Sequence, residues 1–343
     1  MTTLTARLTV NEAALARNWR ALDALSAPDC ETAAVVKGDG YGCGLTRVGQ
    51  CLASAGVRSF FVALPEEGVS LRAALGPDPA IYILGGYGRD LADQYRASSM
   101  RPVLNSADQF QTWFTDIGGP CALQLDTGMN RLGMEADEAT ALGDLPDAVE
   151  LVMSHMGCAD DPPHPMNKAQ LTEFRRLTES LHQRLSLSAT AGTLLSADYH
   201  FDMVRPGIGL YGGWPYAEAE RVVTVEVPII QIRDLAPGES VGYAATWTAT
   251  RPSRIATISA GYADGLIRAL SGGAQAFIDG QPVPFAGRVS MDLITLDVTD
   301  CPCVPGDMVE LLGPNQSIDD LAAAAGTIGH EILTSLGRRY ARH

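Results

Sequence analysis

Over the first two-thirds of the chain, short apolar runs alternate with amphipathic stretches. The runs lie at 33–36 (AAVV), 59–63 (SFFVA), 80–84 (AIYIL), 101–104 (RPVL), 121–125 (CALQL), 149–153 (VELVM), 186–189 (SLSA) and 204–210 (VRPGIGL). Each reads as a strand. The segments between them, such as 45–55, 65–75, 106–115 and 167–184, carry apolar residues at helical spacing, and so does 11–25 through Ala14, Leu15, Trp19, Leu22 and Leu25. Eight strand–helix repeats predict an α/β fold, a TIM-like (β/α)8 barrel over 1–219, whose chemistry sits where strands end and loops begin. Lys37, Asp126, His155 and Arg205 all fall at such ends. After Trp214 the texture changes to strand-like runs broken by glycine and proline, with one late helix near 317–325. Residues 220–343 are therefore expected to form a mainly β C-terminal domain, with the extreme N-terminus available to pair with it.

Composition narrows the function. The chain has 343 residues, 46% of them hydrophobic, enough for one large or two ordinary domains. No apolar run approaches the roughly 20 residues that cross a bilayer, and the N-terminus lacks a signal-peptide pattern, so a cytoplasmic protein is expected. A net charge of −15 leaves no basic stripe for nucleic acid. The seven cysteines are scattered and lack a CxxC pair. They read as reduced thiols, and no metal is expected.

Lysine is nearly absent. Of 25 basic residues only Lys37 and Lys168 are lysines, which leaves 23 arginines. Yet Lys37 closes an apolar strand and opens the glycine-rich turn KGDGYG. A desolvated lysine can lose its proton and attack a carbonyl, which arginine cannot do. This is Schiff-base chemistry.

Around that lysine, AVVKGDGYGCG resembles the cofactor-lysine segment of the alanine racemases, which are pyridoxal-phosphate (PLP) enzymes with a barrel followed by a β domain. Further segments match in order along essentially the whole chain: DTGMNRLG, SHMGCADDPPHPMN, MVRPGIGLYG, VGYAATWTA, GYADG and GRVSMD. The resemblance implies that Lys37 holds the cofactor and acts as a base. It directs the Tyr41 hydroxyl, the Gly207 and Ile208 N–H groups and the Thr190 hydroxyl at the phosphate, with Thr190 standing where the family usually has serine. His155 is expected against the cofactor ring and Arg205 at the pyridine nitrogen. Because arginine stays protonated, it donates a hydrogen bond and leaves that nitrogen unprotonated.

For the substrate, the resemblance implies that Arg131 grips the carboxylate bidentately, that the Met291 N–H meets it with Asp292 alongside, and that Tyr262 gates the entrance. Racemisation needs a base on each face of the α-carbon. Tyr243 takes the position of the second base, contributed by the partner subunit, so a homodimer is expected. With a solution pKa near ~10, a tyrosine must be strongly perturbed to play that part.

Two positions depart from the family pattern. Gln124 replaces a lysine that carries a carbamate, and could accept a hydrogen bond from Arg131 without supplying charge. His330 replaces the second entrance tyrosine, which predicts a wider entrance. The expected activity is interconversion of L- and D-alanine, supplying D-alanine for peptidoglycan. The alternatives are racemisation of serine or a broader range of small amino acids, a non-catalytic PLP carrier, which the β domain disfavours, and a decarboxylase, which Arg205 disfavours.

Overall fold

The computed structural model describes residues 5–343, folded as two compact units. One comprises 15–210 with 215–218; the other comprises the N-terminal residues up to Ala14, 211–214 and 219–343.

The first unit is a parallel barrel. Strands Ala34–Val35, Ser59–Val62, Ala80–Ile83, Arg101–Leu104, Cys121–Gln124, Val149–Met153 and Arg184–Ser186 pair in chain order. Met203–Val204 supplies the eighth position, pairing with Glu31–Thr32. The Ala33 and Val35 N–H groups donate to the Val204 and Pro206 carbonyls, and the Arg205 N–H donates to Ser188, so the eighth strand bonds on both sides and the ring closes. Inward-facing Ala33, Phe61, Tyr82, Val103, Ala122, Leu151, Met153 and Met203 form the packed interior. Two alanines sit among larger side chains that fill the interior, as a packed barrel core requires.

All eight apolar runs lie on barrel strands, with two adjustments. The weak run expected at 186–189 forms its strand two residues earlier, at Arg184–Ser186. The run expected at 204–210 is strand only at its start, because Pro206 has no N–H to donate and Ile208–Tyr211 coils into a 3₁₀ turn. The helix expected over 167–184 spans Pro165–Thr178, its proline placed in the first turn where the missing N–H costs nothing. Helices Ala92–Ser98, Ala136–Ala141 and Gly329–Ser335 had no clear apolar stripe in the sequence.

The second unit is mainly β. Its spine is Val223–Leu235, which pairs antiparallel with Arg7–Val10 and Met308–Leu312 through its first half and with Ser253–Ile258 through its second. Pro228 and an irregularity between Ile229 and Gln231 mark the change of partner. Such a bulge bends a strand from one sheet direction to another. The small hairpin Ser240–Val241/Trp247–Thr248 packs Val241 and Trp247 against Ile255 and Ala286 and carries Tyr243 in its turn.

Candidate active site

In the barrel unit, Lys37 stands at the C-terminal end of the first strand, at the head of an unusual turn. Gly38, Asp39, Gly40 and Tyr41 all have positive φ, from 54° to 65°. Left-handed backbone costs an ordinary residue roughly 1–2 kcal/mol, which explains two of the glycines. The cost at Asp39 is met by bonds. Its N–H donates to Glu67 Oε1 (3.1 Å), its Oδ1 accepts from the Leu45 N–H (2.9 Å), and its carbonyl accepts from Gly44 (2.8 Å). Glu67 also accepts from the Ala63 and Leu64 N–H groups at the end of the second strand. Two strand ends are thereby tied to one turn. The Lys37 amine has its pKa lowered by desolvation and by the positive charge of Arg131, with Glu67 partly opposing. Loss of its proton, the prerequisite for nucleophilic attack, is made easier.

Arg205 is almost fully buried. Its guanidinium donates to the Ser186 hydroxyl, to the Ser154 carbonyl (2.6 Å) and weakly to Leu187 (3.4 Å), and it lies 5.9 Å from the Phe61 ring centroid. Burial pulls its pKa down to about 9, so it is still a cation at neutral pH. His155 follows Ser154 directly. Burial, Arg205, Arg131 and Lys37 together pull its pKa down to about 3. It is a neutral imidazole beside two arginines and Lys37.

Thr190 opens the short helix Thr190–Thr193 and is buried. Its oxygen accepts from the Gly207 (3.0 Å) and Gly209 (3.2 Å) N–H groups. The Gly207 N–H, expected to point at a phosphate, is thus directed at Thr190. With its oxygen occupied by two donors, the hydroxyl's own proton points away and is the donor left for an anion. Gly207 also has a steric role, since a Cβ there would meet the Tyr41 hydroxyl at 2.3 Å. Only glycine lets the buried Tyr41 ring lie across that backbone.

Arg131 sits in a loop folded back against its own strand. Asp126 Oδ1 accepts from the N–H groups of Gly128, Met129 and Asn130 (2.9–3.1 Å). Asp126 and Met134 bond back across the loop's neck. The Gln124 side chain donates to the Leu132 carbonyl (3.0 Å). Gln124 therefore pins the backbone beside Arg131. Arg131 is exposed, yet close enough to Lys37 and His155 to perturb both.

In the β unit, Tyr243 is 74% exposed, in a turn where Gly242 and Ala244 take positive φ. Tyr262 and Met291 are exposed and lie on two turns sewn together: Tyr262 and Ala263 donate to the Ser290 and Met291 carbonyls (3.0 Å each). Arg339 clasps the buried Asp264 through two 2.7 Å bonds and Asp292 through a third of 2.7 Å. The Asp292 carboxylate is therefore committed to Arg339. His330 is partly buried on helix Gly329–Ser335. No group of three or more metal-ligating side chains occurs among the described residues.

Sequence reasoning did not single out Glu67, Thr127, Ser154, Gln170 or Arg339. Gln170 left a readable trace, as a polar residue on the buried stripe of its helix beside Leu171 and Phe174.

A closed barrel that presents an amine of lowered pKa, a buried arginine and a neutral histidine at the C-terminal ends of its strands defines a carbonyl-capturing barrel enzyme. The profile of the alanine racemase N-terminal domain matches residues 10–215, and that of the alanine racemase C-terminal domain matches 222–343. The chain belongs to the alanine racemase family. It is 56% identical over 342 residues to an alanine racemase of Ruegeria sp. (98% of each chain) and 53% identical to one of Dinoroseobacter shibae (99% and 98%). Among solved structures it is similar to alanine racemase from Bartonella henselae with covalently bound pyridoxal phosphate (TM-score 0.93, 37% identity, 99% of each chain). It is likewise similar to the biosynthetic alanine racemase from Pseudomonas aeruginosa (TM-score 0.92, 34% identity, 99% of each chain).

Proposed function

We propose that this chain interconverts L- and D-alanine with PLP held covalently at Lys37, using Lys37 and Tyr243 as bases on opposite faces of the substrate. The observation that carries this reading is Lys37 itself, an amine with a lowered pKa on a turn built from left-handed residues, in a chain that matches the family from end to end. The residues around it suit the cofactor. The Thr190 hydroxyl proton and the Tyr41 hydroxyl are donors for a phosphate, the glycine at 207 makes room for that Tyr41 hydroxyl, and Arg205 is a permanent donor for a ring nitrogen. Bound there, the cofactor supplies the electron sink that lets an α-proton leave.

The chain's own groups do the rest. Arg205 offers a hydrogen bond while keeping its proton. His155 stays neutral and would lie against the ring, adding no positive charge to those of Arg205 and Arg131. Arg131 meets the substrate carboxylate, joined by the Met291 N–H. Asp292, held by Arg339, fixes the Met291 turn, and Tyr262 and His330 line the entrance. Tyr243, exposed on a hairpin turn, is the residue offered to a second copy, so the working form is a homodimer with each site completed by its partner. We place the enzyme in the cytoplasm, where D-alanine for peptidoglycan is made. Seven free thiols fit a reducing compartment, and no described helix is long and apolar enough to cross a membrane.

The test is an absorbance scan of purified protein, then L-alanine with chiral analysis of the product. A visible cofactor band abolished by borohydride, with D-alanine formed to an equilibrium ratio near one, is expected. A band without D-alanine would redirect the search to serine and larger amino acids. No band after reconstitution would refute the proposal.

A further inference from the structure

Behind His155 lies a side chain that nothing in the proposed chemistry uses. Gln170 is fully buried on helix Pro165–Thr178, one helical turn from Asn167, and its amide spans the turn that follows the sixth barrel strand. Its Oε1 accepts from the Gly157 N–H (2.9 Å), and its Nε2 donates to the His155 carbonyl (2.9 Å) and to Thr127 Oγ1 (3.2 Å). The orientation is forced, because a backbone N–H can only donate and a carbonyl can only accept. Thr127 in turn bonds the Ser154 hydroxyl (2.9 Å), and the Ser154 carbonyl accepts from Arg205 (2.6 Å). One amide thus brackets residues 155–157 on both sides and continues, through two hydroxyl groups, to Ser154 at the end of the sixth strand, whose carbonyl Arg205 bonds.

We infer that Gln170 is a positioning residue for the cofactor ring, acting through His155 and, by way of Thr127 and Ser154, through Arg205. This rests on the reading of His155 and Arg205 as PLP-facing groups. His155 is the residue that needs such help. A neutral imidazole among Lys37, Arg131 and Arg205 forms no ion pair, which leaves its placement to packing and to the backbone that carries it. The Gln170 amide pins that backbone at the His155 carbonyl and at the Gly157 N–H two residues on. No other uncharged side chain of this length offers both. Glutamate keeps the acceptor for Gly157 but sets an oxygen against the His155 carbonyl. Methionine fills the space and bonds neither.

The experiment compares holoenzyme of the wild type, Gln170→Glu, Gln170→Met and a control on the exposed face of the same helix, Lys168→Gln. It measures the visible circular dichroism of the bound cofactor and the PLP concentration that half-saturates it. Both Gln170 variants should need about tenfold more PLP and show an altered visible band, with the overall fold intact by far-ultraviolet dichroism, while K168Q matches the wild type. Wild-type affinity and band shape in Q170E or Q170M would overturn the inference alone. A wild type that shows no cofactor band would overturn the cofactor reading beneath it as well. Amide hydrogen exchange on the wild type is a second readout that needs no variant to fold. Slow exchange at Gly157 is expected, and exchange as fast as an open loop would overturn the clamp.

Discussion

The contact between Gly207 and Tyr41 allows a prediction in which a single methyl group is the perturbation. Gly207 does not adopt positive φ, so Gly207→Ala brings no backbone strain, and its whole effect is steric. The new Cβ would lie 2.3 Å from the Tyr41 hydroxyl oxygen, 3.1 Å from Cζ and 3.5 Å from Val35 Cβ. Ordinary van der Waals contact begins roughly 1 Å farther out than that first distance. The ring cannot simply withdraw: Tyr41 is buried, its own φ is +54°, and the turn before it is anchored by Asp39. Overpacking of this kind costs about 1–3 kcal/mol. In a Tyr41→Phe background the closest contact becomes the 3.1 Å approach to Cζ, which needs only a few tenths of an ångström of movement. The four proteins of the cycle, unfolded in urea as apoproteins, should therefore show a favourable coupling of about 1 kcal/mol or more, within the range for touching side chains. Gly207→Ala alone should also weaken PLP binding, because it displaces a phosphate donor. If Gly207→Ala costs the same in the wild-type and Tyr41→Phe backgrounds, within the roughly 0.3–0.5 kcal/mol scatter of independent sites, the clash is not what requires glycine there.

Two further outcomes follow from the charges around Lys37. His155 has its pKa pulled from 6.5 to about 3 in the folded protein, so between those values the unfolded chain binds the extra proton and stability falls as pH falls. From neutrality down to about pH 5 this amounts to about 2 kcal/mol. Urea titrations should show His155→Gln apoprotein losing that much less than wild type, and parallel pH curves would refute the assignment. Arg131 lowers the pKa of Lys37, so Arg131→Gln should let it rise. Capture of PLP by the apoenzyme should then slow at neutral pH and its rate profile move to higher pH; an unshifted profile would mean that Arg131 is not felt at Lys37.

Much of the barrel could be read from the chain, because a buried parallel strand must be apolar whatever surrounds it. That is why AAVV, SFFVA and AIYIL announced themselves, while the half-polar strand Arg184–Ser186 could be located only to within two residues. The site was legible where chemistry restricts the residue type. Only lysine can form a Schiff base, so its scarcity drew attention to Lys37. It was illegible where the work is done by generic polar side chains. Nothing in the letters Glu67 or Gln170 says that one closes a left-handed turn and the other brackets a histidine, since both tasks depend on which backbone groups happen to lie within about 3 Å.

The sequence by itself determined the order of elements, the change of texture after Trp214, the family, and the residues that could carry the reaction. Periodicity and side-chain chemistry are local properties and survive in one dimension. Only the tertiary structure decided that the Gly207 N–H is spent on Thr190, that Gln124 binds the Leu132 carbonyl, and that Asp292 is held by Arg339. It also decided that the pKa values of His155 and Lys37 are both pulled down, by burial and by the arginines around them. Hydrogen-bond partners and pKa values are set by distances between residues far apart in the chain, and those distances exist only once the strands have closed into a ring.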